Sequence, residues 1–353
     1  MNSLLQAYPD HIILLTHMTP TGRATGKELF GKYGARVVQC YLPYDTGWMV
    51  GRFLRHFAPR ICILMETEVW PNVMAQCVRH RVPVVLVNAR LSERSLKKAQ
   101  KLSALMGEAA RAMSCVAAQT EVDAARLRQM GAPNVQVTGS IKFDVTPPDA
   151  MLERGAVLRQ RIGTRPVLLC ASTREGEEAL ILDAWAKSPA KDELLVIVPR
   201  HPQRFDEVAG MIGARGLSMA RRSALGEVNV PPDVDVLLGD SMGEMFAYYA
   251  ACDVTFIGGS LLPLGGQNLI EACAVGKPVL IGPHTFNFNA VSEDAIAAGA
   301  AVRVPDATAM VGEGTRLLHD DARRAAMGGN AQAFSQQHRG ATARTMALLK
   351  PFL

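Results

Sequence analysis

The chain of 353 residues is longer than one typical domain and is comfortable for two. Hydrophobic residues make up 48% of it and charged residues 20%, which excludes a disordered chain. The net charge of +5 comes without a clustered stripe of Lys and Arg, which argues against nucleic-acid binding and favours an anionic partner or membrane face. No apolar run reaches the roughly 20 residues that span a bilayer, and no signal-peptide pattern opens the chain.

Several familiar sites are absent from the sequence. The seven cysteines are odd in number and scattered, which predicts reduced core thiols of a cytosolic protein. No Cys or His pair has zinc-ligand spacing, so we predict no metal. Without the glycine-rich dinucleotide motif, the P-loop motif or the G-x-S-x-G motif, the sequence disfavours a dinucleotide oxidoreductase, a P-loop kinase and a serine hydrolase.

The first half of the chain repeats an apolar run, a polar loop and a helical segment. This pattern predicts β-α-β units and a parallel sheet covered by helices. The predicted strands are Ile12–Leu15, Val37–Gln39, Ile61–Met65, Val84–Val87, Cys115–Ala118 and Val135–Thr138. Residues 143–149 then carry two prolines and no apolar period, which predicts a linker and a domain boundary between residues 145 and 146.

The same alternation resumes in the second half. The predicted strands are Val167–Cys170, Leu194–Val198, Val236–Leu238, Val254–Ile257, Val279–Ile281 and Ala301–Val304. Two final helices, Asp306–Leu318 and Asp321–Leu349, close this domain or cross back to the first. The sequence therefore predicts an α/β protein with two doubly wound, Rossmann-like domains, residues 1–145 and 146–353, that face a cleft.

The stretch from Leu238 to Phe288 predicts a nucleotide-sugar site. A loop rich in glycine follows the strand Val254–Ile257 and leads into a helix, where backbone amides and the helix dipole favour an anion. Glu271 falls in the first turn of that helix, where its carboxylate can accept hydrogen bonds from a ribose or sugar diol. Glycines that only allow tight packing, and a Glu that only complements the dipole, would produce the same pattern.

Three other loops of the second half carry candidate ligand groups. Residues 171–178 form a second anion cradle, unless Ser172 or Thr173 is only a helix cap. Arg200 follows a strand and can bind a phosphate through two hydrogen bonds, beside His201, which can bind a sugar or a base. In residues 240–244, Met242 can lie against a base, and Gly243 allows close backbone approach.

The acidic candidates of the first half follow two predicted strands. Glu66 and Glu68 are two residues apart, so their side chains point to opposite sides of a continuing strand and one of them faces the cleft. Alternatively, Glu66 caps the helix that begins near Trp70, or the pair only solvates a loop. Asp45 is the third acidic candidate.

The basic candidates of the first half suit a phosphorylated or carboxylated acceptor. Arg90 and Arg94 lie in one loop and first helical turn, next to hydroxyl groups that helix capping by Ser92 would also explain. Lys142 lies where a strand exits toward the linker. Its ammonium group could stabilise a leaving phosphate, or it could form a structural ion pair with Asp144 or another acid.

Seven motifs, in this order, resemble the 3-deoxy-D-manno-octulosonic acid (Kdo) transferases along nearly the whole chain: E-T-E-V-W-P-N, N-A-R-L-S-E-R-S, V-T-G-S-I-K-F-D, A-S-T-R-E-G-E-E, V-P-R-H-P-Q-R-F, G-D-S-M-G-E-M and G-G-Q-N-L-I-E…G-P-H-T-F-N-F. The resemblance implies a GT-B fold and inverting, metal-independent transfer of Kdo from CMP-Kdo to a lipid A precursor, without a cofactor, at the cytosolic face of the inner membrane. It implies that Glu68 and Lys142 assist the transition state. It implies that CMP contacts Pro199, Arg200, Met242, Gly243, Glu244, Asn268, Leu269, Ile270 and Glu271.

Two departures from the family pattern affect the expected activity. Gln267 stands where the family usually has His. Family members begin with a membrane-anchoring segment and a strand ending in S-V-G-E, whose Glu is the general base, and neither precedes Met1. We therefore expect a peripheral protein that binds CMP and transfers Kdo poorly or not at all. We expect an upstream extension of the chain to restore transfer. The alternatives are another GT-B nucleotide-sugar enzyme, such as a UDP-sugar transferase or epimerase, and a non-catalytic binding protein.

Overall fold

A computed structural model describes residues 1–101, 103–188 and 192–353. The chain divides into two compact units, which we call the first unit (residues 1–144 and 339–353) and the second unit (residues 145–338). The sequence prediction placed the boundary after residue 145 and left open whether the last helix crosses back. In the structure, residues 339–353 belong to the first unit.

Strands and helices alternate along the chain. The strands are β1 (Ile13–His17), β2 (Val37–Tyr41), β3 (Cys62–Met65), β4 (Val84–Ala89), β5 (Cys115–Ala118), β6 (Val135–Val137), β7 (Val167–Thr173), β8 (Leu194–Pro199), β9 (Met219–Arg221), β10 (Val236–Leu238), β11 (Val254–Ile257), β12 (Val279–Ile281) and β13 (Ala301–Arg303). The helices are α1 (Asn2–Ala7), α2 (Pro20–Phe30), α3 (Gly47–Phe57), α4 (Pro71–Arg79), α5 (Glu93–Lys101), α6 (Ser103–Arg111), α7 (Glu121–Gln129), α8 (Asp149–Ile162), α9 (Glu177–Ala186), α10 (Phe205–Gly213), α11 (Met245–Ala251), α12 (Ile270–Ala274), α13 (Asn289–Ala297), α14 (Ala307–Leu318), α15 (Asp321–Gln337) and α16 (Ala341–Leu349).

The six strands of the first unit are all parallel, but they form two sheets. β1 pairs with β2, and β3, β4, β5 and β6 form a four-stranded sheet in that order. The sequence predicted a single sheet, which is wrong for the described residues, because β1 hydrogen-bonds only to β2 and β3 only to β4. Each predicted strand is nevertheless present, with ends that differ by at most two residues.

The core of the first unit surrounds β4, whose six residues are all buried. Strands of a parallel sheet read as continuous apolar runs because helices cover both faces. On one face, Leu86 packs in a cluster with Met74 of α4. On the other face, Val85 packs in a cluster with Leu348 and Leu349 of the C-terminal helix. The last helix of the chain thus covers one face of the first unit's sheet.

The second unit contains one parallel sheet of seven strands, in the order β13-β12-β11-β7-β8-β10-β9. Chain order reverses at β7, which pairs with β11 on one side and with β8 on the other. This is the predicted doubly wound arrangement, and the C-terminal ends of strands at the reversal are where such sheets bind ligands. The edge strand β9 was not predicted, because Met-Ala-Arg is short and lacks a run of β-branched residues.

The predicted final helix from Asp321 to Leu349 is wrong in one respect, because the chain breaks into α15 and α16. Gly340 at the break has a φ of 92°, a left-handed conformation that glycine adopts without steric cost. Asp144 fixes the start of α16: its carboxylate accepts hydrogen bonds from the amide of Gly340 at 2.5 Å and from the amide of Thr342.

All seven cysteines are free, and five of them are buried. Among the described residues, no helix has both the length and the apolar character needed to cross a membrane.

Candidate active site

Four polar residues of the first unit meet at the C-terminal edge of its four-stranded sheet, and we call them the Glu66 cluster: Glu66, Asn88, Arg90 and Lys142. The carboxylate of Glu66 lies 3.0 Å from Lys142 Nζ and 3.6 Å from Arg90 Nε. Asn88 Nδ2 donates to the same carboxylate at 3.4 Å. The cluster therefore combines one carboxylate with two cations, and its charged side chains are 30–41% exposed.

The register of the four-stranded sheet brings the cluster together. Met65 of β3 pairs with Val87 of β4, so Glu66 and Asn88 are the next residues along neighbouring strands. Both have left-handed backbone conformations, with φ values of 55° and 52°. Such strain persists only where the surroundings hold it, and it concentrates at functional sites.

Asn88 supplies much of that support. Its side chain is 1% exposed, and its Oδ1 atom accepts a hydrogen bond from the amide of Ile141 at 3.1 Å. Its backbone carbonyl accepts a hydrogen bond from Gln119 Nε2 at 2.8 Å. Asn88 thus ties the Glu66 loop to the residue that precedes Lys142.

The acidic residues of the first unit have different roles in the structure. Glu68 is exposed, so only Glu66 of the pair joins the cluster. The interpretation of Glu66 as a helix cap is wrong, because Asp45 performs that role for α4. The Asp45 carboxylate accepts hydrogen bonds from the amides of Asn72 at 3.1 Å and Val73 at 2.9 Å.

The structure also decides the alternatives for the basic residues. Lys142 pairs with Glu66, which confirms the alternative of an ion pair with an acid other than Asp144, whose carboxylate holds the start of α16. Ser92 Oγ accepts a hydrogen bond from the Ser95 amide at 3.1 Å, which confirms that this hydroxyl caps α5. Arg94 is exposed on that helix.

In the second unit, the predicted donor residues Asn268, Leu269, Ile270 and Glu271 lie at the start of α12. Asn268 Oδ1 accepts a hydrogen bond from the Ile270 amide at 3.0 Å, and Asn268 Nδ2 lies 3.4 Å from Glu271 Oε1. Leu269 and Ile270 are buried, and the Ile270 amide is already bonded to Asn268, so neither side chain is presented to a ligand.

Burial raises the pKa of Glu271 above its ordinary value, while the Asn268 hydrogen bond and the positive charge of Arg200 oppose that shift. The influence of Arg200 on this pKa means that the two predicted donor residues share one electrostatic environment. Arg200 is exposed, and its amide is tied to Thr173 by a 2.9 Å hydrogen bond. Pro199 ends the buried strand β8 next to it. A cation and a partly buried carboxylate of this kind can recognise a phosphate and a sugar diol.

The predicted base-binding loop, residues 240–244, combines an exposed side chain with a carboxylate that is bonded within the protein. Met242 is 59% exposed, and Gly243 has a φ of 77°. The carboxylate of Glu244 is already engaged within the protein: it accepts a hydrogen bond from Ser241 Oγ at 2.6 Å and lies 3.4 Å from Arg222 Nη2. Arg154 Nη1 lies 3.5 Å from the same carboxylate. Glu244 is therefore held in a fixed position.

The glycine-rich loop differs from the sequence expectation of exposed amides. The amides of Gly258, Gly259, Leu261, Gly266 and Gln267 all donate hydrogen bonds within the protein. Those of Gly259 and Leu261 donate to a side chain that the sequence analysis did not single out, the carboxylate of Glu177.

The second predicted cradle, residues 171–178, is likewise satisfied internally. Thr173 belongs to β7 and donates to the Glu178 carboxylate at 3.1 Å, and Gly176 is the N-cap of α9. The interpretation of Ser172 or Thr173 as that cap is therefore wrong. The Arg174 amide donates to Glu177 at 2.9 Å.

Comparisons with known proteins identify the family of the chain. Residues 1–145 match the family described as 3-Deoxy-D-manno-octulosonic-acid transferase (kdotransferase), and residues 179–334 match Glycosyl transferases group 1. The 3-deoxy-D-manno-octulosonic acid transferase of Bordetella pertussis is 49% identical over 348 residues, covering 97% of this chain and 81% of that protein. The chain belongs to the Kdo transferase family. The transferase of the same name from Haemophilus influenzae is 36% identical and covers 100% of this chain and 83% of that protein.

Solved structures support the same assignment. The C-terminal CMP-Kdo binding domain of WaaA from Acinetobacter baumannii is 33% identical, with a TM-score of 0.51, and covers 54% of this chain and 100% of that chain. Anabaena HepE in complex with UDP has a TM-score of 0.64 and 17% identity, covering 99% of this chain and 94% of that chain. At that identity HepE shows the fold alone. The predicted GT-B fold and the prediction of a glycosyltransferase are confirmed.

Sequence reasoning missed three contacts that shape the candidate site regions of this Kdo transferase family member. These are the pairing of Glu66 with Lys142, the capping of α4 by Asp45, and the engagement of the glycine loop by Glu177. Each joins residues that are far apart in the chain. Only the first left a signal, since both residues follow predicted strands whose ends meet at one edge of the sheet.

Proposed function

We propose that this Kdo transferase moves Kdo from CMP-Kdo to a lipid A precursor, with inversion at the sugar and without a metal. The observation that carries the proposal is the group Arg200, Asn268 and Glu271, placed beyond strand ends of the doubly wound sheet. The likeness of this part of the chain to a CMP-Kdo binding domain supports CMP-Kdo as the donor.

Donor recognition follows from the chemistry of these residues. Arg200 is exposed and presents a guanidinium that suits the CMP phosphate, and Glu271 presents a carboxylate to ribose hydroxyls. Met242 is exposed and offers a polarizable surface to the base, next to the backbone of Gly243. Pro199, Glu244, Asn268, Leu269 and Ile270 complete the proposed site. Glu244 and Asn268 contribute through the positions that their hydrogen bonds fix.

The proposed catalytic residues are Lys142 and Glu68. Lys142 Nζ is a cation that can stabilise negative charge in the transition state, and Glu66 fixes its position at 3.0 Å. Inverting transfer also needs a base within hydrogen-bond reach of the acceptor hydroxyl. Asp45 is committed to α4 and Glu66 to Lys142, whereas the neighbouring Glu68 is exposed. Glu68 is therefore the carboxylate of this loop that we assign to the acceptor.

An anionic inner-membrane surface is the proposed location of the acceptor. Trp48 is 70% exposed on α3, and Arg52 and Arg55 follow on the same helical face. Tyr44, which precedes this helix, is 79% exposed. Aromatic rings beside basic side chains favour the interface of an anionic membrane. We expect the protein to sediment with vesicles that contain anionic lipid, and Trp48→Ala with Arg52→Ala to weaken that association, whereas neutral vesicles capture neither protein.

Thermal unfolding with nucleotides tests the donor. A ligand at about 100 times its dissociation constant stabilises a protein by about 2.7 kcal/mol. CMP should raise the unfolding temperature and UDP should not. Stabilisation by UDP instead would favour a UDP-sugar enzyme, and a folded protein that responds to neither nucleotide would favour a non-catalytic binding protein. Transfer itself is measured with CMP-Kdo and a lipid A precursor, with and without a chelator, and a loss of activity on chelation would contradict the metal-independent mechanism.

A further inference from the structure

The loop after β11 is packed too tightly to rearrange freely. A Cβ atom at Gly258 would lie 2.5 Å from the Ser172 carbonyl oxygen and 2.6 Å from Thr173 Cα. Gly259 has a φ of 71°, a conformation that side chains disfavour. The backbone of this loop therefore has one close-packed arrangement, and its polar groups must find partners inside the protein.

Glu177, the first residue of α9, provides those partners. Its Oε2 atom accepts hydrogen bonds from the amides of Gly259 at 2.6 Å and Arg174 at 2.9 Å. Its Oε1 atom accepts one from the amide of Leu261 at 2.9 Å. The side chain is 0% exposed, so water cannot replace these bonds. A buried carboxylate is stable only when such donors, here helped by the helix dipole, compensate its charge.

The order that Glu177 imposes passes through the backbone to the proposed donor residues. The Gly266 amide donates to the Gly259 carbonyl at 2.6 Å, and the Gln267 amide donates to the Gly258 carbonyl at 3.0 Å. The next residue is Asn268, whose side chain bonds both the Ile270 amide and Glu271. Glu177 is thus connected to the start of α12 in two steps: its carboxylate holds amides at the start of the loop after β11, and carbonyls there hold the amides of Gly266 and Gln267.

We infer that Glu177 is a positioning residue for the donor site, an inference that rests on the proposed function of that site. Its carboxylate takes the place that an anionic ligand would otherwise occupy on the Gly259 and Leu261 amides. Those amides therefore set the shape of the loop and leave recognition of the nucleotide to Arg200, Asn268 and Glu271.

Glu178 is a matched control, because it is the neighbouring residue and is also 0% exposed. Its carboxylate forms hydrogen bonds with Thr173 and Arg204, and within the described part of the chain no hydrogen bond joins it to the glycine loop. In Glu177→Gln, a side-chain NH2 group replaces one of the two acceptor oxygens, so one backbone amide of the loop loses its hydrogen-bond acceptor. We expect Glu177→Gln to weaken CMP binding by about tenfold, the effect of losing one charge-assisted hydrogen bond, and to raise KM for the donor with kcat retained. Glu178→Gln should lower the unfolding temperature and leave CMP affinity unchanged.

Residue-resolved amide hydrogen exchange on the wild-type protein tests the same inference without a variant. The amides of Gly259 and Leu261 should be protected before CMP is added and gain no protection afterwards. Protection that appears only with CMP would overturn the inference, as would equal loss of CMP affinity in both variants. If the wild-type protein binds no CMP while both amides are protected, the proposed function fails and the structural role of Glu177 stands.

Discussion

Replacing Glu271 with Ala is the most direct test of the donor site. Among the described residues, its carboxylate accepts a single side-chain hydrogen bond, from Asn268 at 3.4 Å. Charge-assisted hydrogen bonds are normally about 2.7–2.9 Å long, so this contact is weak and leaves most of the acceptor capacity unused. If ribose hydroxyls use that capacity, the variant loses about 1.5–3 kcal/mol of binding free energy, or about ten- to hundredfold in affinity.

Isothermal titration calorimetry with CMP measures this loss, with Glu227→Ala as the control because Glu227 is an exposed carboxylate of the same unit. Unchanged CMP affinity in Glu271→Ala would remove Glu271 from the site. A variant that loses binding because it no longer folds would show a lowered unfolding temperature, and that result would also refute the reasoning.

The raised pKa of Glu271 gives the same prediction an independent check. Burial is its main cause, so the folded protein binds the proton more tightly than the unfolded chain, whose carboxyl has the ordinary value of 4.5. Ionisation therefore costs folded stability as pH rises from that value through the raised one. We expect Glu271→Gln to gain stability relative to wild type across this window and to keep the gain at neutral pH, while its CMP affinity falls.

Three further predictions concern the first unit. Lys142→Ala should lower kcat for Kdo transfer by about a hundredfold or more, because electrostatic stabilisation of the transition state is lost, while calorimetry shows unchanged CMP affinity. Glu66→Gln should lower kcat less, because the Lys142 cation remains. Asp45→Ala should lower the free energy of unfolding by about 0.5–2 kcal/mol, as loss of a helix cap does, and a denaturant titration with an unchanged midpoint would contradict it. Burial raises the pKa of Asp144, but hydrogen bonds from Thr342 and nearby amides outweigh burial and lower this pKa below its ordinary value of 3.8. The stability that the Asp144 carboxylate contributes is therefore full above pH 3.8 and is lost as the pH falls through the lowered pKa. Thermal unfolding of Asp144→Asn should show a deficit at neutral pH that shrinks in acid.

The strands were predictable because their signal is local. Val84–Val87 and Val254–Ile257 are largely apolar runs bounded by proline, polar or glycine residues, and both became fully buried parallel strands. The edge strand Met219–Arg221 has no such run, and the break at Gly340 lies inside a helical pattern, where one glycine does not by itself end a helix.

The contacts that build the candidate site were not predictable, because they depend on register and packing. Asp45 reaches amides 27 and 28 residues along the chain, and Glu177 reaches amides 82 and 84 residues along it. Residue type and local spacing identify such carboxylates as acidic candidates, and the fold alone decides which amides they meet. The sequence could place Glu66 and Lys142 at the same edge of a sheet, but it could not show that they pair.

Three carboxylates of the second unit show how a carboxylate satisfied within the protein differs from one that can still accept hydrogen bonds from a ligand. Glu177 and Glu178 are both 0% exposed; three backbone amides hold the first, and Thr173 with Arg204 holds the second. Burial raises the pKa of Glu178 as well as that of Glu271, so a raised pKa does not separate a structural carboxylate from the one proposed to bind ribose. Solvent access does separate them, because Glu271 remains partly exposed and, among the described residues, its carboxylate accepts a side-chain hydrogen bond only from Asn268, at 3.4 Å. An accessible carboxylate whose acceptor capacity is unused is the one that a ligand with hydroxyl groups can still satisfy.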